Sequence, residues 1–174
     1  MRRRPFPELP AGARLTRDPA LVPLSQDHHH ALVQSLRLRD AAAGGPGPAA
    51  EAARAFLDHW RNAMIGHFAE EQEVLFPAVE ATLVEAVARL RGEHAEIAGL
   101  VARLEESLVA GSDPRDLLAE VGWLVHDHIR FEERVLFEAV QSRLGPTGLA
   151  DLGRALAVHR AARGLAPGCA TGGG

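Results

Sequence analysis

Two short segments of this chain carry the same chemistry at the same spacing. His67 is followed by Glu71 and then by Val74, Leu75 and Phe76, and His128 is followed at the same offsets by Glu132, Val135, Leu136 and Phe137. Ala78-Val79 and Ala139-Val140 extend the match. A histidine and a glutamate four residues apart lie on one face of a helix, one turn from each other, so both can reach a common ion. A second pair of segments also repeats: Leu24, Asp27 and His28 against Leu90, Glu93 and His94. The longer spacing from His28 to His67 fits the Gly44–Pro48 loop that only the first half contains. The chain therefore reads as two helix hairpins, each with one lone histidine and one His-x-x-x-Glu pair.

The chemistry that such a set can do is metal chemistry. An imidazole nitrogen is a terminal ligand for iron, whereas a carboxylate has two oxygens and can bridge two metals a few ångströms apart. The candidate ligands are His28, His67, Glu71, His94, His128 and Glu132. Four terminal histidines and two bridging glutamates predict two iron ions, oxo- or hydroxo-bridged, each with a vacant position for O2, NO or peroxide. A single His-x-x-x-Glu is ordinary on a helix surface. Two copies on apolar faces are another matter, because burying carboxylates and imidazoles without a cation is costly. The sole cysteine, Cys169, lies in a Gly- and Ala-rich tail, which leaves only nitrogen and oxygen ligands and no disulfide frame.

Several alternatives stay open at this level. With His28 set at zero and ~100° per residue, the apolar residues of its helix centre on His28, with His29 on the flank and His30 nearly opposite. His28 is preferred, with His29 as its rival and His30 solvated. Glu70 and Glu133 neighbour the paired glutamates and are read as outer-layer or solvent groups. His59 is read as a partly buried structural histidine and His126 as facing away. His159 has no carboxylate at suitable helical spacing. Trp60, Trp123 and the phenylalanines are packing residues, some of them screening the site from water.

The elements that must position these residues are helices. The pattern predicts helices over 24–43, 49–76, 83–110 and 112–144, the second ending or kinking where Pro77 disfavours helix geometry at Phe76. Ser112, Asp113 and Pro114 supply a cap and a first-turn proline for the fourth. The expected fold is all-α: an antiparallel four-helix bundle over 24–144, whose core is a usual place for inward-facing ligands. An irregular N-terminal arm at 1–23, rich in proline, precedes it, and 145–174 holds a short C-terminal helix at about 147–163 and a disordered tail.

Composition narrows the partners. The 174 residues are 47% hydrophobic and 24% charged, with a net charge of −4, nine histidines and no tyrosine. That is one globular core with no broad basic surface, so neither nucleic acid nor membrane is expected as a partner. Arg2, Arg3 and Arg4 are not followed by an apolar stretch, and no run of ~18 apolar residues occurs, which predicts a cytoplasmic location. Nothing here fixes an oligomeric state.

At the acid-His starts of the first and third helices and at the run from His67 to Pro77, repeated from His128 to Phe137, the sequence resembles the hemerythrin-like, HHE cation-binding family over about 24–144. Carried over residue by residue, the resemblance implies the same six ligands: His28, His67, Glu71, His94, His128 and Glu132. This set is similar to that of the branch that includes iron-sulfur repair proteins and related bacterial hemerythrin-like domains. Oxygen-carrying members have a second histidine where this chain has Ala98, and an aspartate where it has Glu133. The cysteine-bearing front domain of the repair proteins is missing. The resemblance therefore implies a protein that binds or senses O2, NO or peroxide or stores iron. An enzyme removing peroxide or NO, an iron-sulfur repair factor and a metal-free helical interaction module are its rivals.

Overall fold

The computed structural model describes residues 16–164 of the chain, all of whose regular structure is helical. Helix α1 spans Val22–Ala42, α2 spans 46–79, α3 spans Val84–Val109, α4 spans 115–144 and α5 spans 146–162. Helices α1 to α4 form the expected bundle of antiparallel neighbours, with α1 and α4 in the most extensive contact. The arm read at 1–23 lies largely outside the described residues, and Cys169 and the tail wholly so.

Proline opens two of these helices. Pro23 sits in the first turn of α1, where its missing N–H would have no helical acceptor, and Pro46 begins α2. The structure departs from several expected boundaries, and α2 begins at Pro46, inside the Gly44–Pro48 stretch read as a loop, because a proline is tolerated in the first helical turn. Helix α2 does not end at Phe76 but continues to Val79. The Phe76 N–H reaches back five residues to the Glu71 carbonyl, so Pro77 follows a turn whose regular ladder is already interrupted. Helix α4 starts at Arg115, with Pro114 as the cap residue, and it is the Asp113 carboxylate that accepts the Arg115 backbone N–H at 3.1 Å. At the far end of α4, Gly145 adopts φ 62° and ψ −178°, a conformation open essentially to glycine alone, and turns the chain into α5.

Wide π turns interrupt α2 at Trp60–Met64 and Glu71–Leu75 and α4 at Glu132–Leu136. The last two begin at equivalent positions of the repeat, and in each the glutamate carbonyl accepts the N–H of the phenylalanine five residues on. Such turns occur frequently at functional sites because they re-aim one side chain without ending the helix.

The core has two apolar layers. One gathers Ala31, Leu38, Phe56, Ile97, Leu104, Leu118 and Val125, and the other Leu24, Leu75, Phe76, Leu90, Leu136 and Phe137. Leu149, Leu152 and Leu156 of α5 complete the second layer. Along each of the four bundle helices, the site residues fall between these two layers. At Gly122 of α4 an added Cβ would lie 2.8 Å from Arg39 Cγ and 2.9 Å from the Ser35 carbonyl oxygen. Glycine is what lets α1 and α4 come this close.

Candidate metal centre

The four helices bring His28, His67, Glu71, His94, His128 and Glu132 together. All six side chains are buried, and both glutamates have no solvent exposure. Two groups of ligating atoms result, each within 4.8 Å: His28, His67, Glu71 and Glu132 form one, and Glu71, His94, His128 and Glu132 the other. Both glutamates belong to both groups. The Nε2 of His67 lies 3.2 Å from one Glu71 oxygen and that of His94 lies 3.2 Å from the other. The Nε2 atoms of His28 and His128 approach Glu132 at 3.1 and 3.2 Å.

Despite these approaches, all four carboxylate oxygens of Glu71 and Glu132, and the Nε2 atoms of His28, His94 and His128, lack a hydrogen-bond partner among the described residues. They are near one another but not aligned to bond. Leaving so many polar atoms unpaired in a core costs several kcal/mol, roughly 1–3 for each group, unless a cation takes the lone pairs. The donor set of nitrogen and carboxylate oxygen fits a hard or borderline cation. The buried cluster thus fits a metal site.

A second layer orients the rings. Nδ1 of His28 donates to Glu133 Oε1 at 2.7 Å, and Nδ1 of His128 donates to Glu93 Oε2 at 3.0 Å. The Gln72 amide meets Nδ1 of His94 at 3.1 Å, and Asp27 Oδ2 stands 3.5 Å from Nδ1 of His67. In His28 and His128 the carboxylate at Nδ1 takes the ring N–H and leaves Nε2 as the free lone pair of the neutral ring, directed at the glutamates, whereas Nδ1 of His67 has no hydrogen-bond partner among the described residues. The layer follows the repeat. The residue after each central glutamate, Gln72 or Glu133, serves the lone histidine of the other hairpin, and the acid before each lone histidine serves the paired histidine of its own. Arginines hold the carboxylates in turn: Arg17 on Glu133 at 2.7 Å, Arg89 on Glu93 at 2.6 Å and Arg160 on Asp27 at 2.5 Å.

Electrostatics without a metal follow from this crowding. Burial pushes the His28 ring toward neutrality, but Glu132, Glu133 and Glu71 outweigh it and hold its pKa well above the usual histidine value. Burial opposes protonation of His67 too, yet Glu71 and Asp27 raise its pKa to about 9. Burial alone would raise Glu71; His67, His28 and His94 instead hold it well below the ordinary carboxylate range. Glu133 resists burial in the same way, drawn down to about 2 by His28, Ser25 and Arg17. Aromatic rings close the sides. Phe137 stacks on His28 at 5.3 Å and its repeat partner Phe76 on His94 at 5.5 Å, while Phe68 lies 3.8 Å from His94. Beside His94 a groove of about 400 Å3 opens to the surface, lined by Trp60, Phe68, Gln72, Arg91 and Ala98.

The rival residues fall elsewhere. His29 and His30 are exposed, with ring centres 5.9 Å apart. His59 is half-buried, and His126 pairs with Asp127 at 2.9 Å away from the cluster. Glu70 is not a solvent group: it is fully buried and bound by Arg160 at 2.6 Å. His159, for which helical spacing offers no partner, finds Glu73 of α2 at 3.0 Å. Sequence reasoning gave no supporting role to Asp27, Glu93, Gln72 or Arg160. The repeated acid-His pairs were a signal for the first two, but no spacing rule points to Arg160.

No helix among the described residues is long and apolar enough to cross a membrane. The family model described as hemerythrin HHE cation binding domain matches residues 21–140. No curated protein and no solved structure matches the chain.

Proposed function

Given that the chain belongs to the hemerythrin HHE cation-binding domain family, we propose that it is a non-haem di-iron protein that binds or senses O2, NO or peroxide in the bundle core. The observation that carries this reading is the membership of Glu71 and Glu132 in both ligand groups. Glu71 turns Oε1 toward His28 and His67 and Oε2 toward His94, while Glu132 presents Oε2 to both His28 and His128, so each carboxylate is shared by the two histidine pairs, as a bridge between two ions needs. His28 and His67 would hold one ion and His94 and His128 the other, giving each two nitrogens and two oxygens. Two irons so held supply one-electron redox changes and open coordination positions for a diatomic or peroxide ligand.

The chain's own residues prepare that chemistry in definite ways. Glu133 and Glu93 fix the rings of His28 and His128 through Nδ1, Gln72 bonds Nδ1 of His94, and Asp27 faces Nδ1 of His67 at ion-pair distance. Phe68, Phe76 and Phe137 exclude water from the histidine faces. The groove beside His94 supports a path for small molecules to that side. It also favours a second reading, in which peroxide or NO is turned over rather than held. The metal-free interaction module is disfavoured by the unpaired carboxylate oxygens.

Anaerobic loading with Fe(II), followed by metal analysis and an optical spectrum before and after O2, NO or peroxide, tests the proposal. Two irons per chain and a spectral change with one of these ligands are expected; one metal or none per chain would overturn the two-ion site. Catalytic evolution of O2 from peroxide, or steady consumption of NO, would move the assignment to the enzyme.

A further inference from the structure

Three of the four histidines have a carboxylate against Nδ1, and each of those carboxylates is held by an arginine. Two of these arginines come from different places in the fold. Asp27 and Glu93 are equivalent in the repeat: each precedes the lone histidine of its hairpin and faces Nδ1 of the paired histidine, Glu93 within hydrogen-bond distance of His128 at 3.0 Å and Asp27 at an ion-pair distance of 3.5 Å from His67. Glu93 is held by Arg89, one turn earlier on the same helix, with Nε 2.6 Å from Oε1. The position equivalent to Arg89 on α1 is Pro23, which has no side-chain donor. The guanidinium comes instead from α5, where Arg160 Nη2 donates to Asp27 Oδ2 at 2.5 Å and to Glu70 Oε2 at 2.6 Å. Its side chain is only 9% exposed. Helix α5 lies beyond the residues that the family model matches.

We propose that α5 is part of the metal centre's outer layer: Arg160 is a positioning residue that holds Asp27 against Nδ1 of His67, so that docking of α5 and occupancy of the His28–His67 half stabilise each other. The inference rests on the two-ion reading above. Its physical basis is geometric. Asp27 is partly exposed, with a side-chain accessibility of 36%, and without a guanidinium its carboxylate can turn to water and leave Nδ1 unsupported. Glu70, fully buried, has Arg160 as its counter-ion and would favour keeping that arginine inside. The rest of α5 docks through Leu149, Leu152 and Leu156 after the turn at Gly145, so its attachment can vary while the bundle stays folded. Coupling of this kind is reciprocal: whatever α5 adds to metal affinity, metal must add to the docking of α5.

The experiment is an anaerobic Fe(II) titration of the full chain, with hydrogen exchange measured over residues 146–162 with and without iron. For the unsubstituted chain, two ions and slower exchange in α5 on loading are expected. R160Q should bind one ion as before and the other ~10–100-fold more weakly, and iron should no longer slow exchange in its α5. D27N should reproduce the loss, and R160Q added to D27N should cost little more, because both remove the same support. R89Q should weaken one ion while leaving the protection of α5 intact. R160K keeps the charge that Glu70 needs; if R160Q does not fold, a smaller selective weakening in R160K supports the same role. Equal weakening of both ions, full additivity with D27N, or unchanged binding in R160Q would overturn the role of Arg160. An unsubstituted chain that takes up fewer than two ions would instead overturn the two-ion reading itself.

Discussion

Glu133 Oε1 lies 2.7 Å from Nδ1 of His28, while its neighbour Glu132 presents an oxygen 3.1 Å from Nε2 of the same ring. Two adjacent glutamates thus face one imidazole at its two ends, only Glu133 hydrogen-bonding it, which gives them different expected phenotypes. Glu132→Ala and Glu71→Ala should each abolish binding of both ions, since each carboxylate faces both histidine pairs. Glu133→Ala should still take up two irons at saturation, with one ion bound ~10-fold more weakly. Metal analysis across a range of free iron concentrations separates the cases; a Glu133→Ala protein that holds no metal beside a fully loaded Glu132→Ala protein would exchange the two roles.

The three successive histidines of α1 should behave unequally. His28 is buried against His67 and Phe137, whereas His29 and His30 face solvent. His28→Ala is expected to lower iron content by about one ion or to empty the site. His29→Ala and His30→Ala should retain both ions. Iron content per chain and the charge-transfer absorption of the loaded protein report the difference, and loss of metal in His29→Ala alone would reverse it.

Metal removal should change the sign of the pH dependence of stability. In the metal-free protein His67 has its pKa raised to about 9 from an ordinary value of 6.5. Its contribution is therefore complete below pH 6.5 and is lost as pH rises from there to about 9. Glu71, held low, contributes above the ordinary carboxylate range and loses that contribution only at acid pH. Melting temperature of the metal-free protein should fall between pH 6.5 and 9. Loaded protein should show the reverse trend, since metal competes with protons for the same nitrogens. At neutral pH the loaded form should be more stable by about 4 kcal/mol for each bound ion when free metal is a thousandfold above that ion's Kd. Parallel pH profiles of the two forms would contradict the placement of His67 beside the metal.

The α1–α4 contact can be tested apart from the metal. Gly122→Ala places a methyl 2.8 Å from Arg39 Cγ and 2.9 Å from the Ser35 carbonyl oxygen, and that oxygen belongs to backbone that cannot swing away. A loss of about 1–3 kcal/mol is expected, as for other overpacked contacts. Denaturant unfolding measures it. A protein as stable as the unsubstituted chain would mean that the two helices separate at low cost.

The bundle and its inward residues were legible because they follow rules local to a helix: His67 and Glu71, or His128 and Glu132, declare a shared face by their spacing, and the second copy removes the ambiguity of the first. The angular position of His28 in its apolar stripe agrees with its burial. What escaped were contacts between elements distant in the chain. His159 looked partnerless because its carboxylate, Glu73, sits on another helix. Glu70 read as an outer-layer or solvent group, and what removes it from solvent is Arg160, far along the sequence. Pro77 looked like an end or a kink for α2; the wide turn before it, invisible in residue type, lets the helix continue to Val79.

The two-hairpin plan has a consequence for how the chain can be divided. The segment 80–83 joins α2 to α3 at the surface, and one cut there would leave three candidate ligands on each piece: His28, His67 and Glu71 on one, His94, His128 and Glu132 on the other. Neither piece then owns a complete set for either ion, because each set draws on both glutamates. Iron would act as a reversible crosslink, with chelation letting the halves part and renewed loading rejoining them. Size-exclusion chromatography of the cleaved protein with and without a chelator would reveal a split protein whose reassembly is switched by metal.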